Sequence, residues 1–280
     1  MARRPSFGDE PMSRLAAWSG RLALFALVVT ALSIIILRSG LLEIVPALAT
    51  FAAALIFAGL AVLLALASFV VIWRQGLAGL GYAVMAMFLG LMLLAYPSYL
   101  GYRATRLPAI FDITTDPANP PRFDALARMR PRERIAYPGA ATANLQRAAY
   151  PDIAPLQLDV SARLAYDVAL ALVTKRKWQV VDARLPAPGR REAVIEAVAR
   201  TPIMGFRDDV VIRVSPAGAG SRVDLRSASR VGTHDFGANA SRVRALIEDI
   251  DDAVSSAPVP RPEPVTKTPP VKKGQPEKRR

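Results

Sequence analysis

Residues 208–229 read DDVVIRVSPAGAGSRVDLRSAS, two alternating runs either side of a stretch of proline and glycine. Successive side chains of a strand point to opposite faces, so Val210, Ile212 and Val214 share one face while Asp209 and Arg213 take the other. In the second run Val223 and Leu225 share a face, opposite Arg222, Asp224 and Arg226. The SPAGAG stretch, Ser215–Gly220, supplies the turn of a β-hairpin. Opposed residues in an antiparallel pair share a face, so paired numbers must sum to an odd value. A six-residue turn pairs Val214 with Ser221, and so sets Ile212 opposite Val223, Val210 opposite Leu225 and Asp209 opposite Arg226. This register predicts an Asp209–Arg226 ion pair on a charged outer face.

Working outward, two more strands are expected at 177–184 and 191–200, separated by the PAPG turn at Pro186–Gly189. Before them, Leu156–Val160 reads as a short strand. Ser161 is a plausible N-cap for a helix to about Arg176, with Leu164, Val168 and Leu172 on one face. After the hairpin, Val243, Leu246, Ile247 and Ile250 are spaced for one buried helical stripe, and Asp235 can cap that helix. The order β-α-β-β-β-β-α over 151–256 predicts an α+β fold, one antiparallel sheet with both helices on one face.

The chain before this domain is of another kind. No charged residue occurs from Ile44 to Trp73 or from Gln75 to Tyr102, and each run exceeds the roughly 20 helical residues that cross a bilayer. With Leu15–Leu37, where Arg21 can snorkel, three spans are expected near 15–37, 44–72 and 77–100, making 1–102 a membrane anchor. A cleaved signal peptide does not fit, because no small-residue cleavage site follows and two further spans come at once. Ala54-x-x-x-Ala58 and Ala86-x-x-x-Gly90 are small-residue pairs expected to pack within the bundle. Arg3, Arg4, Arg14, Arg21 and Arg74 flank one side of the spans, and Arg38, Arg103 and Arg106 the other. The basic excess places the N-terminus in the cytoplasm and the C-terminal domain outside the inner (plasma) membrane, in the periplasm of a bacterium.

Segment 103–150 carries Pro108, Pro117, Pro120, Pro121, Pro131 and Pro138, and reads as an extended stretch lying on the domain, with one helical turn near Phe123–Met129. Residues 257–280 read as a disordered basic tail. Its last 20 residues hold seven basic and two acidic groups, so +5 of the formal +13 resides there. With the rest dispersed, a nucleic-acid partner is disfavoured. Zero cysteines and one histidine remove disulfides, thiolate chemistry and multi-histidine metal sites, and no cofactor is expected.

Chemistry-bearing residues cluster at 208–242. Arg226 and Arg230, with the N-terminus of the last helix, could hold a carboxylate, phosphate or lipid headgroup. The competing reading pairs arginines with aspartates as scaffold. A catalytic alternative is a hydrolase using Asp208 and Asp209, or His234 as base.

PIMGFRDDVVIRV followed by DLRSASRVGTHDFGANASRVRAL resembles the family called domain of unknown function 1499 (DUF1499), found in bacterial envelope and some plastid proteins. The matching positions are Gly205, Phe206, Asp208, Asp209, Arg226, Ser227, Ser229, Arg230, Gly232, Asp235, Gly237, Asn239 and Arg242. ITTDPANPPRF and YPDIAPL look like the family's leading segment, and His234 lies outside its pattern. Similar members carry three spans before the domain. The resemblance implies the architecture but no activity, no catalytic residue and no metal. The candidate anion site comprises Arg226, Arg230, Asn239 and Arg242, with Asp208, Asp209, Ser227, Ser229, Gly232, Asp235 and Gly237 expected to be structural. The expected function is binding or scaffolding at the envelope, with membrane lipids, an anionic small molecule or an envelope component as partner.

Overall fold

The computed structural model describes residues 11–41, 43–186 and 191–256. The basic tail, the PAPG turn and the Arg3–Arg4 pair lie outside the described residues, the turn all but its Pro186. Three long apolar helices come first: α1 (Arg14–Ser39), α2 (Ile44–Gln75) and α3 (Leu80–Arg106). Each is long and apolar enough to cross a membrane. Their contacts are built on small residues. Ala54, Ala58 and Ala86 are fully buried, and a Cβ on Gly90 would collide with the Val62 side chain and come within 3.1 Å of the Ala58 carbonyl. Both small-residue pairs thus serve the bundle itself, and the helix backbones approach closely there.

The remainder is an α+β domain around a six-stranded antiparallel sheet. Its strands are β1 (Asp112–Thr114), β2 (Leu156–Leu158), β3 (Gln179–Arg184), β4 (Ala193–Arg200), β5 (Arg207–Ala217) and β6 (Gly220–Ser229). They run in the order β1-β6-β5-β4-β3, and β2 shares the outer edge of β6 with β1. Helices α5 (Ala162–Lys175) and α6 (Ala238–Ser255) cover one face. Ile195, Ile212, Val214, Val223 and Leu225 meet them, with Val243, Leu246 and Ile250 from the expected stripe of α6. Helix α5 is capped by Ser161 as its sequence suggests, but it buries Ala165, Tyr166, Ala169 and Val173. Leu164, Val168 and Leu172 sit one residue round the helix, at the margin. Alanines let α5 lie close to the sheet, a cue that a search for large apolar residues passes over.

The hairpin register differs from the expected one by two residues. Val214 pairs with Val223, Asp209 with Ala228 and Val211 with Arg226, while Ala217 pairs with Gly220. The odd sum survives, as the buried face demands, but the loop contains only Gly218 and Ala219. Gly218 takes φ +56°, the conformation that glycine supplies at the first position of a tight hairpin turn. A two-residue turn follows the strand twist, so it displaces the looser one. Asp209 and Arg226 are therefore not partners.

Segment 103–150 also departs from an extended stretch. Its Asp112–Thr114 joins the sheet as β1, and Ala140–Ala149 forms a helix, α4. Gln146 of α4 accepts from the Thr114 amide at 3.1 Å and donates to its carbonyl at 2.6 Å, completing the open edge of β1 with a side-chain amide. Between them, residues 115–137 form a strap across the sheet face opposite α5 and α6, with a short 3-10 helix at Leu126–Met129.

Candidate functional site

The strap turns the charged outer face into an interior. Arg226 is 1% exposed. Its Nε and Nη2 donate to the two oxygens of Asp112 at 3.0 and 2.8 Å, and its other N–H groups reach the carbonyls of Pro121 and Ile135. The exchange is reciprocal: Arg130 of the strap donates to Asp209 of β5 at 2.6 Å and to the carbonyls of Ala228 and Ser229. Phe123 lies between the two guanidinium groups, 4.4 Å from Arg226 and 4.8 Å from Arg130. Asp209 is completed by Arg230 at 2.7 Å. Beside them the fully buried Glu196 of β4 accepts from the backbone N–H groups of Asp124, Ala125 and Leu126, capping the strap's 3-10 turn. Burial pushes the Asp112 carboxyl above its ordinary value, a rise that Arg226 partly offsets. Burial likewise lowers Arg130, and it raises the Tyr137 phenol to about 12 with help from the Asp112 charge.

The helix-facing side of β5 and β6 carries a second network. Arg242 of α6 donates to Asp208 at 2.6 Å, to Ser227 Oγ at 2.9 Å and to Asn239 Oδ1 at 2.6 Å. Asn239 in turn donates to Ser229 Oγ and to the Phe111 carbonyl. Asp235 accepts from the amides of Gly237 and Asn239 at 2.8 and 2.9 Å, so its carboxylate already fills the N-terminus of α6. Burial raises the pKa of that carboxyl. Gly237 takes φ +77°, and a Cβ there would meet Arg103 of α3 at 2.6 Å and Leu107 at 2.9 Å. Gly232, also at positive φ, gives its carbonyl to Arg134 of the strap. His234 is half-buried, accepts from the Phe236 amide through Nδ1, and stacks on the Phe236 ring. That is local turn chemistry.

The four candidate anion ligands do not converge. Arg226 and Arg230 lie on the strap side of the sheet, Asn239 and Arg242 on the helix side. Each of the three arginines holds a carboxylate. Asp208 and Asp209 are neighbours in one strand and so face opposite ways, which prevents them from acting together on one bond. Among the described residues no group of three or more His, Asp or Glu side chains gathers as a metal site. Asp112, Arg130, Glu196 and Gln146 were missed by sequence reasoning. Asp112 meets Arg226 across 114 residues of chain, and no local spacing marks such a pair.

The distribution of these residues along the sheet does carry information. β4 ends and β5 begins at the loop Thr201–Phe206, and the C-terminal end of β6 lies beside the start of β5. The loops 201–206 and 230–237 therefore share one end of the sheet, with the β5–β6 turn at the other. Arg38 of α1 contacts the first loop and Arg103 of α3 the second, so this end faces the membrane helices. Most positions of the resemblance crowd it. The family model described as protein of unknown function (DUF1499) matches residues 112–250, and the three apolar helices precede the match. No curated protein matches the chain.

Proposed function

With residues 112–250 belonging to the DUF1499 family, we propose that this chain is a membrane-anchored binding or scaffolding module whose domain stands outside the cytoplasmic membrane and gathers anionic lipid headgroups. The observation that carries this reading is a division among the arginines. Arg226, Arg230 and Arg242 hold carboxylates and serve the fold. Arg106, Arg200 and Arg207 are exposed at the membrane end and contact no carboxylate among the described residues. Guanidinium groups bind phosphate through paired N–H donors, and each cation near an anionic membrane surface contributes about 1 kcal/mol. Arg14 and Arg74 at the opposite ends of the spans, with Arg21 just inside, support the outward placement of the domain. The hydrolase alternative draws no support from two aspartates on opposite faces.

The test is the lipid carried by the full chain in nanodiscs of equal phosphatidylglycerol and phosphatidylcholine, read by native mass spectrometry. Enrichment of phosphatidylglycerol is expected, and its loss in the triple variant Arg106→Gln, Arg200→Gln, Arg207→Gln with unchanged melting. A wild-type chain without enrichment rejects the lipid reading. Orientation is tested separately with Ala219→Cys at the far hairpin tip. A membrane-impermeant maleimide should label it in cells whose outer membrane alone is permeabilised. Labelling only after the inner membrane is opened reverses the topology.

A further inference from the structure

Helix α1 has 26 residues, so at about 1.5 Å each it is about 39 Å long, against a hydrocarbon layer of about 30 Å. In its last turn Arg38 is the first charged residue after the uncharged run Leu22–Leu37, which marks that turn as the polar boundary of the span. In that turn the Arg38 guanidinium donates to the carbonyls of Pro202 at 2.6 Å and Ile203 at 3.2 Å, and Arg200 returns a bond to the Arg38 carbonyl at 3.4 Å. Gly205, at φ +71°, lies against the same residue, and a Cβ there would come 2.9 Å from Arg38 Cγ. The β4–β5 loop is thus held to the end of a membrane span by both hydrogen bonds and close packing.

The loop sequence, TPIMGF from Thr201 to Phe206, is apolar beyond its first residue. Ile203 is 39% exposed, Pro202 is exposed, and Met204 and Phe206 are half-buried. The backbone is closed on itself. The Thr201 amide donates to the Phe206 carbonyl, the Gly205 amide to the Thr201 carbonyl, and the Phe206 amide to Thr201 Oγ1. Pro202 has no N–H to satisfy, and Arg38 takes the Pro202 and Ile203 carbonyls, which leaves the Ile203 and Met204 amides and the Met204 and Gly205 carbonyls to water or headgroups. A backbone in hydrocarbon must have its polar groups satisfied internally, so this half-closed loop fits the boundary, where water and headgroups still reach it, and not the hydrocarbon itself.

We infer that the β4–β5 loop is a membrane-contacting foot, in which Ile203 inserts at the boundary between headgroups and acyl chains of the bilayer that holds α1–α3. The occupant of this surface is that bilayer, because the loop is fastened to the turn at which the uncharged run of α1 ends. Arg38 spans the boundary in the usual manner of a long basic side chain, with its stem in the apolar layer and its charge on the loop carbonyls. The inference rests on the membrane anchor in the proposed function, and not on the selection of anionic headgroups.

The chain has no cysteine, so a single nitroxide can be placed without background. Ile203→Cys is labelled in the full chain in nanodiscs and its accessibility to oxygen and to a water-soluble nickel chelate is measured. Leu41→Cys, 79% exposed just past α1, and Ala219→Cys at the opposite end of the domain serve as references. The Ile203 label should favour oxygen over nickel at least as strongly as the Leu41 label, and several-fold more than the Ala219 label. A ratio equal to that of the Ala219 label overturns the inference. An immersed label without phosphatidylglycerol enrichment would defeat headgroup selection alone. Enrichment with a water-exposed label would defeat the foot alone.

Discussion

The two faces of the sheet are both deeply buried, but by different mixtures of apolar packing and charge. On the helix face Ile195, Ile212 and Leu225 are fully enclosed among aliphatic and alanine side chains. On the strap face Glu196, Asp209 and Arg226 are as deeply enclosed, yet all three are ionisable. The first face is held mainly by the hydrophobic effect, at about 25 cal/mol per Å² and without regard to direction, with the Arg242–Asp208 network confined to its membrane end. The second joins a small apolar cluster, Phe123 and Leu126 against Val198, Val211 and Ala228, to paired charges and hydrogen bonds, each of which needs one partner in one place. The lesson concerns the candidate site. A dense group of arginines and aspartates at fixed spacing looks like a ligand site, but here it fastens a strap whose residues come from elsewhere in the chain.

The comparison breaks most easily at its strongest point. Asp112→Ala leaves the Arg226 guanidinium buried without its carboxylate, and losing one member of a buried pair costs about 3–5 kcal/mol. On the apolar face, Ile212→Val should cost only about 0.5–1.5 kcal/mol. Replacing both charges, Asp112→Leu with Arg226→Met, should recover most of the loss, because no charge is then stranded. Thermal unfolding of the full chain, followed by near-ultraviolet ellipticity, separates the three. An Asp112→Ala loss no larger than that of Ile212→Val would show the pair to be dispensable, and would reopen Arg226 as a ligand group.

The unequal legibility of the two faces has the same origin. Alternation in β5 and β6 showed which side of each strand meets the helices, and the stripe on α6 was read from its spacing, because burial of apolar groups is a local property of a pattern. Register was legible only to its parity, since the buried face forbids an even sum, but the loop length depended on how Gly218 turns. The helix face of α5 was misjudged because Ala165 and Ala169 bury more completely than the larger Leu164. The partners of Arg226 and Asp209 were beyond reach. Asp112 and Arg130 sit in a proline-rich stretch whose sequence shows that it is not a long helix, but not where it lies. Prolines at 117, 120, 121 and 131 exclude alternatives; they do not choose a path. For Asp208 and Asp209 the signal was present and underused. Two neighbours in a strand cannot share a face, and that alone argued against a paired-carboxylate site.

The smallest effect sharpens the comparison by asking what a charge on the strap face loses through its burial. Burial raises the Asp112 pKa above 3.8 despite the Arg226 partner, so the folded chain holds that proton to a higher pH than the unfolded chain. Between the raised folded value and 3.8 the folded state carries more protons at this site, and its stability therefore increases as pH falls through that window. Each unit of displacement corresponds to about 1.4 kcal/mol. Asp112→Asn removes the titration while keeping the shape of the side chain, and Asp235, also raised by burial, is common to both chains and cancels. The stability of wild type minus that of Asp112→Asn should therefore rise as pH is lowered from neutrality to below 3.8. A difference that falls over the same range would mean that attraction to Arg226 outweighs burial. The folded pKa would then lie below 3.8, and the pair would stabilise the fold most where it is fully charged.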